Sequence, residues 1–306
     1  MKAPILIRIE QQKKIAQLLS PYIGNEVAQQ LDVNQIHIEP AYCAEFYGYG
    51  QPASNAFLDA MFPRWSVPAE LFHYTKMERL LDIARSGELW LFALRKRVDE
   101  GELSAFGDDH KLKGFFERTK KGEAYYKELS DDLFYTSFAP DQRNEEELWP
   151  IFGGGGSGVR LKMRLITKAA ELRAIQYATP FRTALMELNG KLEEVGLPPF
   201  APWTISRIGG FYLRSDLSYE NEVRLLIKRH RCGRDDARKH SSNEYWPVPI
   251  GVENDVCEIE LLEIQLGPQA DRKAAETAIA GTRLRAVKIV SIPDPNDTES
   301  SSPKSV

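Results

Sequence analysis

The stretch LFHYTKMERLLDIARSGELWLFAL, residues 71–94, constrains the fold more than any other part of the chain. An apolar run opens it, four apolar residues follow at helical spacing, and a second apolar run closes it. Thr75 and Glu78 have the spacing of a capping box, and Gly87 is suited to end a helix. The pattern predicts a strand, a helix and a strand, with His73 near the end of the first strand.

The rest of the chain continues this alternation of short elements. Segments rich in β-branched, aromatic or alternating apolar residues predict strands at 36–40, 133–139, 159–165, 209–215 and 220–229. Helices are predicted at 10–31, with a break near Ser20-Pro21, and at 107–130, while 46–55 has the composition of a loop. The closing segment, 256–293, predicts strand, helix and strand. Strands interspersed with short helices predict an α+β fold.

Composition narrows the class of protein. With 42% hydrophobic and 27% charged residues, the chain can bury a sizeable core. Its longest apolar runs are far shorter than the ~20 residues of a membrane span, so no membrane contact is expected. Three widely spaced cysteines predict neither a disulfide framework nor a zinc site, and the five histidines lack metal-ligand spacing. We therefore expect a cytoplasmic protein without a bound metal.

The net charge of −4 argues against a basic surface overall, but one segment is an exception. Residues 228–240 hold six basic and two acidic residues. Two interpretations stay open for this basic segment: a solvated hairpin or loop, or a contact with phosphates of a nucleic acid.

Two further motifs carry chemical interest. Glu220 and Glu222, two apart in a predicted strand, place both carboxylates on one face together with Arg224. This pattern suits an ordinary edge strand with a solvated ion pair, or a site that stabilises positive charge on a sugar carbon. Gly153–Gly156 lacks the Walker lysine and precedes a strand, which favours a turn over a loop that closes on a ligand.

In their joint order, several motifs resemble a large bacterial family of uncharacterised domains. The motifs read LFHYT with ARSGELW, FYTSFA, ELWPIFGGGG, YENEVRLLIK, and EIQLGP with LRAVKIVSI. The resemblance covers roughly residues 70–292. The chain departs from the family pattern at two places. After the second strand, RKRVDEGEL keeps only the acidic character of the family's Asn-Asp-Pro-x-Glu turn. After Trp149, the tyrosine that the family places in its pocket is missing.

That family is in turn distantly similar to ADP-ribosyltransferases. The similarity implies a split, twisted antiparallel β core with flanking helices and a cleft for NAD as co-substrate. It implies catalytic roles for Glu222 and Glu220. It further implies NAD binding by five residues of the first and second motifs: His73, Tyr74, Thr75, Tyr135 and Ser137.

The resulting prediction is an NAD-dependent ADP-ribosyltransferase domain at residues 67–292. A partly helical accessory region, 1–66, precedes it, and a disordered tail, 293–306, follows. The acceptor is expected to be a nucleic acid or a protein, and a bacterial toxin or phage-defence effector with an antitoxin or other partner protein fits this activity. Two alternatives stay open: a non-catalytic nucleotide-sensing module, and a carboxylate-dependent hydrolase of nucleotides or nucleic acid.

Overall fold

The computed structural model of the chain describes residues 4–46, 51–112, 116–141, 143–178, 183–202, 205–213, 215–230 and 233–291. The disordered tail expected at 293–306 lies outside these residues. The described chain is α+β, as the sequence predicts, and contains a six-stranded and a four-stranded sheet. None of its helices is long and apolar enough to cross a membrane.

The helices that are bounded within the described residues are short apart from the first. They are α1 (Pro4–Ile23), α2 (Asn25–Gln30), α3 (Pro52–Met61), α4 (Met77–Ser86), α5 (Ser104–Asp109), α6 (Tyr125–Ser130), α7 (Glu145–Phe152), α8 (Ala184–Glu194), α9 (Ile205–Gly209) and α10 (Arg272–Ile279). The strands are β1 (Ile36–Ile38), β2 (Cys43–Glu45), β3 (Ala69–Thr75), β4 (Glu88–Ala93), β5 (Leu133–Phe138), β6 (Val159–Thr167), β7 (Glu171–Ala174), β8 (Gln176–Tyr177), β9 (Tyr212–Leu213), β10 (Val223–Lys228), β11 (Arg238–His240), β12 (Asn243–Pro249), β13 (Cys257–Leu266) and β14 (Lys288–Ser291).

The two larger sheets have different strand orders. The six-stranded sheet runs β11-β12-β4-β5-β10-β7, and its neighbours are all antiparallel. The four-stranded sheet runs β14-β13-β6-β3 and is antiparallel except between β13 and β14. The edge strand β3 meets the end of β5 where Phe72 and Ala139 exchange two backbone hydrogen bonds, of 2.9 and 2.8 Å. His73 follows at this junction.

Two apolar clusters hold the elements together. Both large sheets contribute to the first cluster, along with the apolar faces of α4 and α10. The second cluster joins residues of α1 and α3 to residues of α5, α8 and β10. The described part of the region 1–66 therefore packs into a core shared with later segments, because its helices bury one apolar face there.

Several element boundaries differ from the sequence predictions. Helix α1 continues through Pro21 and ends before Gly24, because Ile15, Leu19 and Ile23 are all buried at four-residue spacing and their packing outweighs the proline. The loop predicted at 46–55 becomes helical from Pro52.

Two further predictions were too long. The predicted helix 107–130 is interrupted, because residues 110–112 and 117–124, which lie between α5 and α6, are not helical. Of the described residues in the predicted strand 209–215, the two of β9 are extended. In the second case α9 occupies the start of the segment as far as Gly209. By contrast, the strand-helix-strand predictions at 71–94 and 256–293 are confirmed.

Candidate functional site

A cavity opens where the two large sheets meet. It encloses about 790 Å³ of empty space, including its open mouth. An apolar wall is formed by Phe72, Phe92, Phe138, Leu148 and Phe152. Its polar lining includes His73, Tyr135, Ser137, Glu220, Glu222, Arg97 and Arg224. A mostly apolar pocket with a few converging polar groups is typical of a small-molecule site.

His73 lies half-buried near the end of β3, at the junction of the sheets. Its Nδ1 is 3.0 Å from the backbone carbonyl oxygen of Ser137. A carbonyl only accepts, so Nδ1 carries the proton and Nε2 is the acceptor in the neutral ring. Burial lowers the pKa of His73, although the Ser137 carbonyl opposes this shift. The imidazole is therefore neutral at pH 7, with one donor and one acceptor.

The helix after His73 begins differently from the sequence prediction. Lys76 is the residue that precedes α4, and no side chain caps the first turn of this described helix. The capping box of Thr75 and Glu78 was therefore wrong, because Thr75 is still part of β3 and is buried there. Gly87 does end the helix, in a left-handed conformation with φ of 66°.

Glu222 lies immediately before β10 and is 5% exposed. Arg224 donates to both of its carboxylate oxygens, through Nε at 2.7 Å and Nη2 at 3.0 Å. The hydroxyl of Ser137 donates to the same Oε1 at 2.5 Å. The backbone N–H of Glu222 in turn donates to the hydroxyl of Tyr177 at 3.0 Å. The carboxylate is thus held by two side chains while its backbone is held by a third.

Arg224 is the buried centre of this arrangement, at 1% exposed. Its Nη1 donates to Glu102 at 2.9 Å and to the carbonyl of Gly210 at 2.8 Å. The guanidinium lies 4.3 Å from the centre of the Tyr135 ring, a cation–π distance. Burial raises the pKa of Tyr135, so this phenol stays protonated. The sequence prediction that Arg224 shares a face with Glu222 is confirmed, but the pair is buried rather than solvated.

Glu220 reaches the cavity by a different route from the one predicted. It is the last residue of a 3₁₀ turn, Ser215–Glu220, and Asn221 then takes a left-handed φ of 43° before the strand starts at Val223. The two carboxylates therefore do not share a strand face, yet both line the cavity. Burial, and then the charge of Glu222, raise the pKa of Glu220 to about 7. Glu220 can accept or release a proton near neutral pH.

Tyr74 and Thr75 were predicted to bind the same ligand as His73. Tyr74 lines the cavity, but its hydroxyl accepts from Arg160 at 2.9 Å, and its ring packs edge-to-face on Trp149 at 4.9 Å. These contacts fix α7 against β3. Thr75 is not among the lining residues, because it lies beyond the cavity beside Gly158. The cavity gives no support to a ligand contact by Thr75.

The glycine-rich turn is closely packed at its two ends. A Cβ on Gly158 would lie 2.3 Å from the carbonyl oxygen of Thr75, so only glycine fits between β3 and the turn. The N–H of Gly158 donates to Gly153 at 2.9 Å, and the N–H of Gln269 donates to Gly156 at 3.0 Å. The four glycines thus serve as a packed turn into β6, the first of the two interpretations.

The basic segment 228–240 is extensively ion-paired. Arg229 contacts Asp132, Asp235 and Glu244. Arg234 contacts Asp255 in a bidentate pair, together with Asp236, and Arg238 contacts Glu88. These three arginine charges are balanced within the chain, which weakens the phosphate-binding interpretation for the described part of the segment.

Sequence reasoning missed two residues that hold Glu222 in place. Glu102 and Tyr177 lie 120 and 45 positions before it, and the fold brings both into contact with its immediate surroundings. The acidic character of RKRVDEGEL was the signal for Glu102, but that segment holds three acidic residues, and its sequence does not distinguish them.

Searches with protein-family models, against curated proteins and against solved structures found no match for this chain. The geometry of the cavity therefore carries the functional argument.

Proposed function

We propose that this chain is an ADP-ribosyltransferase that uses NAD as co-substrate. One observation supports it above all others: His73, Ser137 and Glu222, from three distant segments, form one hydrogen-bonded series along a single cavity that also includes Tyr135. Their convergence is what the resemblance to ADP-ribosyltransferases requires. The two sheets that meet beside His73 suit the split β core of those enzymes.

In this proposal the neutral His73 holds the ribose joined to nicotinamide. A neutral imidazole has one donor and one acceptor nitrogen. The Nδ1 proton is used by Ser137, so Nε2 accepts from a ribose hydroxyl. Tyr135 and Phe92 supply aromatic surface beside the nicotinamide ring.

Glu222 stabilises the transition state in this scheme. As the bond between nicotinamide and the ribose carbon breaks, the electron pair leaves with nicotinamide and the sugar carbon becomes positive. A carboxylate hydrogen-bonded to the ribose 2′-hydroxyl binds more tightly as that charge grows. The acceptor nucleophile then bonds to the same carbon, and Glu220, with its pKa near neutrality, takes the proton the nucleophile loses.

The experiment that tests the proposal measures nicotinamide released from NAD by the purified protein. Radiolabelled NAD incubated with cell lysate, with purified RNA or with a protein mixture then reports whether ADP-ribose is transferred and to which class of acceptor. Absence of both nicotinamide release and label transfer, from protein shown to be folded, would contradict the transferase function.

Two other results would identify the alternatives. Thermal stabilisation by NAD or ADP-ribose without turnover would indicate a nucleotide-sensing module built on the same cavity. Cleavage of nucleotides or nucleic acid that is lost on adding a chelator would indicate a metal-dependent hydrolase, since the proposed transfer needs no metal.

A further inference from the structure

We infer that Glu102 is a positioning residue of the active site, which orients the catalytic Glu222 through Arg224. The inference rests on the proposed function. Glu102 follows β4 and is 4% exposed, so its carboxylate is held away from solvent. Its Oε2 accepts from Arg224 at 2.9 Å, and its Oε1 accepts from Arg97 at 3.1 Å.

The geometry of Arg224 gives Glu102 this role. A guanidinium is planar and offers its donors in fixed directions. Glu102 and the carbonyl of Gly210 occupy Nη1, so the opposite edge, Nε and Nη2, is turned toward Glu222. Removal of the Glu102 charge leaves the carbonyl of Gly210 and the ring of Tyr135 to orient the guanidinium, so its plane, and with it the plane of the Glu222 carboxylate, is held less precisely.

The backbone around Glu102 supports a specific placement rather than a chance contact. Gly101 has a φ of 92° and Leu103 a φ of 70°, so both neighbours lie in the left-handed region. This conformation costs free energy for a residue with a bulky side chain such as leucine. Leu103 is fully buried, and a Cβ on Gly209 would lie 2.8 Å from its side chain. Tight packing therefore holds the strained turn that presents Glu102 to Arg224.

Charge balance is the second consequence of this placement. The Glu102 carboxylate offsets the positive charge of Arg224 and lies close enough to contribute to the raised pKa of Glu220. Neutralising Glu102 therefore leaves the cavity more positive and lowers the pKa of Glu220.

The test compares Glu102→Gln with the wild-type protein in the release of nicotinamide from NAD. We expect kcat to fall about 10- to 100-fold, with the KM for NAD within about twofold of wild type, because the substrate still binds while the reacting groups are misaligned. We further expect the limb of the pH–rate profile near pH 7, assigned to Glu220, to move to lower pH. Glu102→Asp keeps the charge but places it one methylene further back. This variant should show a smaller loss of kcat, and the limb of its pH–rate profile near pH 7 should stay at the wild-type position.

Glu171→Gln is the matched control. Glu171 is also 4% exposed and also lies between two arginines, Arg173 and Arg207. Neither of these arginines lines the cavity, whereas both arginine partners of Glu102 do. The melting temperature of Glu171→Gln should fall by about as much as that of Glu102→Gln. Its kcat per folded molecule, and the position of the limb of the pH–rate profile near pH 7, should stay at wild-type values.

The outcomes separate the two proposals. Wild-type kcat in Glu102→Gln, or a loss that Glu171→Gln reproduces, would show that Glu102 only supports the fold and would overturn the positioning role. If Glu102→Gln does not fold, a wild-type kcat in Glu102→Asp would overturn it. A wild-type protein that binds NAD but releases no nicotinamide would instead overturn the transferase function on which the role rests.

Discussion

The hydroxyl of Ser137 donates a 2.5 Å hydrogen bond to Oε1 of Glu222, across 85 positions of sequence. The carbonyl of the same Ser137 is the partner of His73. One residue of β5 thus connects an imidazole on one sheet to a carboxylate beside a strand of the other. Any change at Ser137 is expected to affect Glu222 directly, because the serine hydroxyl contacts the carboxylate itself.

Replacing Ser137 by alanine tests this connection. We expect kcat for nicotinamide release to fall about tenfold and the free energy of unfolding to drop by about 1–2 kcal/mol, because one donor to a charged acceptor is lost. Steady-state kinetics and urea denaturation measure the two effects. Ser130→Ala is the control: Ser130 is fully buried and donates to Lys127, away from the cavity, so it should cost stability without lowering kcat.

Glu222→Gln should reduce nicotinamide release and transfer at least about 100-fold. The amide keeps the shape of the side chain but carries no charge to stabilise the ribose carbon in the transition state. Arg224 keeps Glu102 and Gly210 as partners, so the variant should fold, with the same far-UV circular dichroism as wild type. Full activity in the folded variant would show that another group promotes transfer.

His73→Ala should raise the KM for NAD roughly 5- to 10-fold, because the hydrogen bond from the ribose to the ring is lost. The wild-type KM should be flat over the neutral range and rise only under more acidic conditions. The reason is that burial lowers the pKa of His73, and only protonation at lower pH removes the acceptor at Nε2. A KM that already rises as the pH falls from weakly basic to neutral would contradict a neutral His73 at the ribose.

Glu220→Gln should change how stability depends on pH. The pKa of Glu220 is raised from 4.5 to about 7, so the native state binds more protons than the unfolded state between these values. Stability from this group is therefore complete below the unfolded pKa and is lost as pH rises through the folded one. Relative to wild type, the glutamine variant should therefore gain about 2–3 kcal/mol in unfolding free energy as the pH is raised from about 5 to about 8. Denaturant titrations of both proteins at the two pH values measure this gain. If the difference in unfolding free energy between variant and wild type is the same at both pH values, the burial of the Glu220 carboxylate is contradicted.

Two glycine substitutions should have opposite effects on stability. Gly158→Ala places a Cβ 2.3 Å from the carbonyl of Thr75, and we expect a loss of about 3 kcal/mol or more. Gly190 lies within α8, where an added methyl group would meet no atom within 4 Å apart from the adjacent backbone of the helix itself, so Gly190→Ala should gain about 0.5–1 kcal/mol through helix propensity. Urea denaturation compares both with wild type, and equal effects of the two would refute the close approach at Gly158.

Local patterns in the sequence predicted the elements that form the cavity. The periodicity of 71–94 predicted β3, α4 and β4, and the aromatic run at 133–139 predicted β5, because hydrophobic spacing directly reflects which side of an element is buried. Boundaries were less well predicted. Pro21 did not end α1 and Glu220 did not join β10, since tertiary packing outweighed the local preference in the first case and a 3₁₀ turn preceded the strand in the second.

The sequence by itself determined which residue types were available for chemistry: a histidine at a strand end, a hydroxyl on a strand, and two acids beside an arginine. Only the tertiary structure decided that His73, Ser137 and Glu222 converge, and that Glu102 holds Arg224. The physical reason is the sequence separation over which each kind of interaction acts. Periodicity and capping act over a few residues, whereas the pairing of β5 with β10 and the turn at Glu102 depend on contacts between segments about 85 and 120 positions apart.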